Sequence, residues 1–233
     1  KNTLCADCGR RDPDWCSISL GVIICEHCSG LHRKLGPSVS KVRSIKLDKW
    51  EHSQMEYMLA LGNAKMNPFW EANIKTVEGQ PPRPFVDSSA EVREKFITAK
   101  YRQCVFIPPA SESDREKLHR ILWDAAMELD YVEVLKLLAQ GADINWRNPD
   151  ENKRALLHMF IMKRNRALFE LFVNLKAKLN VMDAEARSPL HYAVLENNPK
   201  IVKELLSRGA KHELPDTAGK TPLQHAREKG FQE

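Results

Sequence analysis

The sequence predicts a mostly α-helical chain in two parts: a small α/β module pinned by a cysteine array, and an all-α stack of repeats behind it. Three observations carry that prediction. Cys5, Cys8, Cys25 and Cys28 form a C-x2-C-x16-C-x2-C array at the head of the chain. From Trp50 onward the apolar residues fall into helical spacing. In the second half, short motifs recur at an interval of 33 residues, a period typical of stacked helical repeats. The parts divide at Pro108-Pro109-Ala110-Ser111, giving residues 1–110 and 111–233.

A chain of 233 residues is long enough for more than one core. Its 42% hydrophobic and 29% charged residues fit ordinary soluble protein. No apolar run approaches a membrane span, and the polar first residues do not read as a signal peptide. The chain begins at Lys1 rather than methionine, which reads as a fragment of a longer protein. The net charge of +5 is too small for a general nucleic-acid binder. Residues 1–110 carry 16 Lys/Arg against 12 Asp/Glu, and residues 111–233 carry 20 against 19, so the excess is N-terminal. It gathers at Arg33, Lys34, Lys41, Arg43, Lys46 and Lys49, as a solvated face or as a surface for an acidic partner or anionic headgroups.

Two cysteine pairs at this spacing close a tetrahedral Zn²⁺ site. Two disulfides are the other reading, and they fit poorly with the reducing compartment suggested by the leftover Cys16 and Cys104. Four thiolates leave no open coordination position, so the metal is structural. His27 and His32 flank the last pair and are read as non-ligands, and Cys16, among apolar residues, as packed. The segment 29–36 is then pinned to a rigid knuckle, which presents Arg33 to a partner.

Ile18, Leu20, Val22 and Ile24 alternate and read as one short strand leading into the second pair. Met55, Met58, Leu59 and Leu61 suggest a helix ending near Asn63. A second helix is expected over residues 68–77, with Pro68 in its first turn. Gly79-Gln80-Pro81-Pro82-Arg83-Pro84 must be loop. Ser88-Ser89-Ala90-Glu91 is a capping signal for a helix through Cys104.

The repeats are legible as text. Leu157-His158, Ser188-Pro189-Leu190-His191-Tyr192-Ala193 and Thr221-Pro222-Leu223-Gln224-His225-Ala226 recur in register, with Gly141-Ala142, Lys176-Ala177 and Gly209-Ala210 between them. The interval from Ala142 to Leu157 is two residues longer than its equivalents, placing an insertion near 148–152. Leu122-Trp123-Asp124-Ala125 aligns as an earlier copy. Each unit reads as turn, helix, turn, helix. Ser188 or Thr221 caps a helix, the proline fits its first turn, and Leu190, Leu223, Ala193 and Ala226 face the neighbouring unit. This resembles the ankyrin repeat over about residues 115–233. The resemblance implies that His158, His191 and His225 hydrogen-bond across the turn. Three departures stand out: Ala186 replaces the turn glycine seen at Gly219, the copy at 155–158 lacks the Thr-Pro pair, and the last copy stops after one helix.

The N-terminal part carries a second resemblance. Cys5-Ala6-Asp7-Cys8-Gly9, Asp12-Pro13-Asp14-Trp15-Cys16-Ser17 and Leu20-Gly21-Val22-Ile23-Ile24-Cys25-Glu26-His27-Cys28-Ser29-Gly30-Leu31-His32-Arg33-Lys34-Leu35-Gly36 resemble the Arf GTPase-activating protein domain. Ser40-Lys41-Val42-Arg43-Ser44, Leu47-Asp48-Lys49-Trp50, Leu61-Gly62-Asn63 and Ala99-Lys100-Tyr101 continue it through about residue 107. The repeat text Gly141-Ala142-Asp143-Ile144-Asn145-Trp146 is similar to the centaurin-beta branch, where an Arf GAP domain precedes ankyrin repeats behind BAR and PH domains.

The resemblance implies a small four-cysteine zinc-finger Arf GAP module followed by an ankyrin stack. It implies a GTPase activator for Arf-family small GTPases, acting in trans rather than as an independent enzyme. Arg33 is the implied arginine finger. Trp15, Ile24, Arg43, Leu47 and Asp48 match positions that shape or contact the Arf surface. Zn²⁺ is structural, while GTP and Mg²⁺ belong to the partner. The repeats would take an unidentified protein ligand, with membrane association through regions outside this chain and no nucleic acid. The implied setting is membrane trafficking: cytoplasmic, with peripheral recruitment to endosomal or plasma membranes. Ser38 replaces a family histidine and Pro37 stiffens that loop, which bears on substrate preference. The competing readings are a non-catalytic zinc and ankyrin adaptor, and a GATA-type DNA-binding finger. The second lacks its basic tail here, because Met- and Leu-rich helix follows Trp50.

Overall fold

The computed structural model describes residues 2–110 and 114–231. Ser111, at the expected break, lies outside them. The described residues divide between Ala142 and Asp143 into two compact units.

In the first unit the expected strand over 18–24 is instead a hairpin. Strands β1 (Trp15–Ser17) and β2 (Val22–Ile24) pair antiparallel, and β3 (Val42–Ser44) joins the other edge of β1, giving the order β2-β1-β3. The chain turns back at residues 18–21 because Gly21 takes φ +69°, where a Cβ would lie 3.0 Å from Leu61 Cδ1 and 3.3 Å from Leu135 Cδ1. Glycine meets both constraints without strain and without displacing either leucine. Helix α1 (Glu26–Lys34) starts at Cys25 and packs on β1 and β3. Its last turn is closed by Arg102, whose Nη2 donates to Leu35 O at 2.7 Å.

Helix α2 (His52–Ala60) lies where its spacing predicts, with Glu51 and Gln54 forming a reciprocal N-terminal box. Helix α3 runs Asn63–Trp70, not 68–77. It begins five residues earlier because Asn63 is locked as a bracket: its Oδ1 accepts from Ile23 N at 2.7 Å and its Nδ2 donates to Leu4 O and Ile23 O. Pro68 therefore sits inside the helix near its end rather than in its first turn. Residues 79–84 are loop as expected. Ser89 caps α4 (Ala90–Ile97) by accepting from Val92 N, and a π-type turn over Thr98–Arg102 carries the chain on to Cys104 at φ +53°.

The first repeat's hairpin, α5 (Arg115–Met127) and α6 (Tyr131–Ala139), belongs to this unit by packing. Helix α6 lies against α2 and α3, and Tyr131 donates its hydroxyl to Glu56 Oε1 at 2.7 Å. Gln140 Nε2 donates to the carbonyls of Pro108 and Pro109.

The second unit holds two further helix pairs, α7 (Leu156–Met162) with α8 (Arg166–Asn174) and α9 (Pro189–Leu195) with α10 (Pro199–Ser207), then α11 (Pro222–Glu228). Short strands β4 (Arg147–Asn148) and β5 (Arg154–Ala155) flank a 3-10 turn over Pro149–Glu151. That turn and the left-handed Asn152 and Lys153 absorb the expected insertion. Ser188 and Thr221 stand at N-caps with proline behind them, as expected, and Asn165 and Asn198 cap the second helices. Leu190 and Ala193 are buried, whereas Leu223 is 43% exposed because no described helix packs outside α11. Among the described residues no helix is long and apolar enough to cross a membrane.

The expected histidine pattern needs one correction. His158 and His191 use Nδ1 to accept from the backbone N–H of Ala155 and Ser188, and Nε2 to reach carbonyls across the turn. In the last copy Gln224 fills this place, accepting from Thr221 N at 2.7 Å. His225 instead takes the place of Tyr192: Tyr192 donates to Asp183 at 2.6 Å, and His225 contacts Asp216 at 2.8 Å. In the earliest of these turns the equivalents are the neutral Asn148 and Met159. The charged aspartate thus occurs where a donor is present to meet it.

These turns can be tested in two ways. Ala186 holds φ +56° at the position where Gly219 holds +76° with nothing within 4 Å of its would-be Cβ. The left-handed conformation costs an L-residue about 1–2 kcal/mol, partly offset by glycine's looser unfolded chain. Ala186→Gly should raise stability by about 0.5–1 kcal/mol in urea unfolding, and Gly219→Ala should lower it by a similar amount. His158 is fully buried, and burial lowers its pKa to about 4, against the opposing pull of Asp183 and the carbonyls of Arg187 and Val181. The unfolded chain takes up a proton below about pH 6.5 while the folded one does not until about 4. Repeat stability should therefore be complete above pH 6.5 and fall on acidification toward 4, by up to about 1.4 kcal/mol per pH unit from this group. His158→Gln should remove that share of the slope. A slope unchanged by the substitution would disprove the assignment.

Candidate functional site

The four cysteines of the array converge. Their sulfurs lie within 4.8 Å of one another, all are buried, and none is in a disulfide. Cys8 Sγ and Cys25 Sγ are 3.7 Å apart. A Zn–S bond of about 2.3 Å sets the edge of a four-sulfur tetrahedron near about 3.8 Å, so the donor set fits zinc. Neighbouring sulfurs, with burial behind them, push the Cys5 and Cys28 thiols up, so protons leave this cluster when a cation takes their place. His27 is exposed, and His32 turns away to other partners, as the reading of both as non-ligands expects. Cys16 is fully buried in β1, where burial pushes its thiol up to about 12, so it is packed rather than reactive.

Around the cluster the backbone is fastened from several directions. Ala6 N donates to Ile23 O at 2.9 Å, tying the first knuckle to β2. Asn67 Nδ2 and Arg83 Nη2 donate to Ala6 O. Asp7, between the first two cysteines, is fully buried and receives His32 Nε2 at 3.0 Å, the Tyr101 hydroxyl at 2.9 Å and Lys100 Nζ at 3.3 Å. Lys100, also fully buried, donates further to Asn67 Oδ1 at 3.0 Å and Glu71 Oε1 at 2.6 Å. Burial would push Asp7 up, but the Lys100 ammonium and the His32 ring outweigh it and hold the carboxyl at about 2. Tyr101 is pushed well up by burial and by Asp7. No spacing rule connects Asp7 with residues more than ninety positions away, so local reading of the sequence misses this network. Its one visible trace is the Ala99-Lys100-Tyr101 text.

Arg33 lies in the last turn of α1, on the exposed side. Its guanidinium sits 4.5 Å over the centre of the Trp15 ring. Among the described residues it makes no side-chain hydrogen bond or ion pair. Lys34 beside it is paired to Glu94 at 2.7 Å.

The five surface candidates are not gathered on one face. Trp15 is half-buried beneath Arg33 and lies opposite Ile24 and Ser44 in the sheet register. Ile24 is fully buried, so it shapes the surface only from below. Arg43 pairs with Cys16, on the other pleat from Trp15, and donates to Lys49 O at 2.7 Å. Asp48 is spent on the turn after β3, accepting from Ser44 N at 2.8 Å. That turn lifts Leu47 to 83% exposure. Ser38 is exposed in the loop between α1 and β3.

Residues 1–110 match the family model described as "Putative GTPase activating protein for Arf", and residues 122–216 match the model for ankyrin repeats in three copies. The Homo sapiens "Arf-GAP with Rho-GAP domain, ANK repeat and PH domain-containing protein 2" is 41% identical over 146 residues, which cover 61% of this chain and 8% of that protein. The Arabidopsis thaliana "ADP-ribosylation factor GTPase-activating protein AGD3" is 36% identical over 165 residues, covering 62% and 20%. The Mus musculus "Arf-GAP with coiled-coil, ANK repeat and PH domain-containing protein 2" is 29% identical over 259 residues, covering 81% and 34%. The chain thus spans about a third or less of the length of these relatives. It carries a match to the Arf GAP model across its cysteine module with ankyrin repeats behind it, and is similar to Arf GAPs named for both parts.

Proposed function

We propose that this chain activates GTP hydrolysis on an Arf-family small GTPase by supplying Arg33 in trans, and that Cys5, Cys8, Cys25 and Cys28 hold a structural Zn²⁺. The observation that carries the reading is the state of Arg33: exposed, at the end of a helix rooted in the cysteine cluster, and, among the described residues, held by the face of Trp15 without a hydrogen bond or ion pair. Such a contact is worth about 1 kcal/mol or less at an exposed site, so the fork is free to exchange it for phosphate oxygens. Arginine suits the role because its planar, permanently charged fork contacts charge as it develops on the transferring phosphoryl group. When bound, zinc supplies a cross-link and no acid–base chemistry, since four thiolates close its coordination. The nucleotide and Mg²⁺ come with the partner.

Leu47 and the exposed part of Trp15 are apolar contacts for the GTPase surface. Arg43 and Asp48 brace the turn that presents Leu47, and Ile24 supports the sheet beneath. The ankyrin repeats take a protein ligand. Peripheral recruitment to endosomal or plasma membranes would come from outside these residues.

Freshly purified chain should contain about one zinc per molecule, and strong chelation should abolish the fold of residues 1–110 while α7–α11 keep their helical signal. Elemental analysis finding no stoichiometric zinc would sink the metal assignment. Arg33→Lys keeps the charge and loses the fork. Its zinc content and melting should match the parent, while single-turnover acceleration of Arf GTP hydrolysis should fall by at least about a hundredfold, since an arginine finger supplies about 10³–10⁵. Lys34→Ala should cost little. Near-parental acceleration by Arg33→Lys would move the adaptor reading to first place.

A further inference from the structure

We propose that His32 is a positioning residue for Arg33, and that the buried Asp7–Lys100 pair is what fixes its ring. The proposal rests on Arg33 being the finger. Arg33 has no side-chain hydrogen bond or ion pair of its own among the described residues, so, apart from the Trp15 ring beneath its guanidinium, its direction is set by the backbone of the last turn of α1. Helix α1 is nine residues long, and the last turn of so short a helix frays unless something outside it holds it.

His32 is that hold. Its ring is fully buried, with Nδ1 at 2.8 Å from Ser40 Oγ and Nε2 donating to Asp7 Oδ2 at 3.0 Å. One ring therefore joins the finger's own turn to the first knuckle and to the segment entering β3. Ser40 is fixed in turn by a hydrogen bond with Ser17 Oγ, 2.8 Å away in β1. Asp7 cannot swing, because its other oxygen takes Tyr101 and Lys100, and Lys100 is held by Asn67, Glu71 and the Ala6 carbonyl. The His32 and Tyr101 rings pack at 5.0 Å between centres.

An apolar side chain at position 32 would fill the same space, and buried ion pairs are often matched in stability by well-packed apolar residues. What the imidazole adds is direction, through two hydrogen bonds on opposite sides of the ring. A displacement of about 1 Å at a reacting group costs on the order of a hundredfold in rate.

The test is single-turnover GTP hydrolysis on GTP-loaded Arf proteins, titrated with chain to give a maximal rate and a half-saturating concentration. Zinc content is measured on each variant. His32→Gln places an amide near the Nε2 position and keeps a donor toward Asp7. His32→Asn is too short for Asp7 and reaches only toward Ser40. His32→Asn should lower the maximal rate by about 10- to 100-fold, with half-saturation within about threefold and zinc retained. His32→Gln should recover most of the loss. Tyr101→Phe removes one hydrogen bond to Asp7 at unchanged shape, and it decides the matter if His32→Asn does not fold: its maximal rate should fall by several-fold. Parental rates in His32→Asn or Tyr101→Phe overturn the positioning role, as does loss of activity only in proportion to lost zinc. An inert parent chain instead overturns the finger reading itself, and the positioning role with it.

Discussion

The first fifty residues depend on closing two chain segments onto each other at four sulfurs. Their regular structure is three strands of three residues and one nine-residue helix, too little to bury a core that folds alone. The Zn²⁺ proposed for the cysteine cluster would supply the missing cross-link, and the rest is arranged around the cluster. Asn63 and Asn67 reach from α3 to saturate the carbonyls that the knuckles leave open. Arg83 and Lys100 supply positive charge beside a cluster that becomes negative when its thiols ionise. Helix α3 is displaced from its expected span for this reason: the brackets at Asn63 and Asn67 have to face the knuckles.

The repeats work from different physics. Their turns are held by backbone groups and a small set of side chains whose identities change together. Asp183 meets Tyr192, Asp216 meets His225, and the neutral Asn148 stands where Met159 offers no donor. A buried carboxylate without a donor would be costly, so the exchange at one position constrains the other. The same logic explains Gln224 in place of histidine, since a glutamine oxygen accepts the Thr221 N–H equally well.

Motif-level features were legible in the sequence because their rules are local. The cysteine array, the repeat interval, the insertion before Arg154 and the capped helix starts all follow from spacing within a few tens of residues. What was not legible is long-range or competitive. Residues 18–24 alternate like one strand, yet 18–21 form the turn of a hairpin whose strands are Trp15–Ser17 and Val22–Ile24, with Gly21 packed against Leu61, Met66 and Leu135. The burial of Lys100 depends on Asp7 from the first knuckle and on Asn67 and Glu71 from α3 and its C-cap. The first repeat reads as part of the stack, but its second helix packs on α2 and α3. Period reports an element and its buried face, not which surface covers that face.

Rigidity and freedom are divided sharply along α1. Cys28, Leu31 and His32 are buried and tied, while Arg33, the next residue, is exposed over Trp15. Its cationic neighbours are engaged: Lys34 with Glu94, and Arg102 with the carbonyls that end the helix. The finger role proposed for Arg33 needs this contrast. A strong partner in the free protein would have to be surrendered on reaching the nucleotide, and that cost would subtract from transition-state stabilisation. A loose base would spend binding energy on ordering the turn. Trp15 meets the first demand, because the face of an aromatic ring aligns a guanidinium without satisfying its N–H groups, and the tied His32 meets the second. In the role proposed for Arg33, those donors are left for oxygens whose charge grows during the reaction.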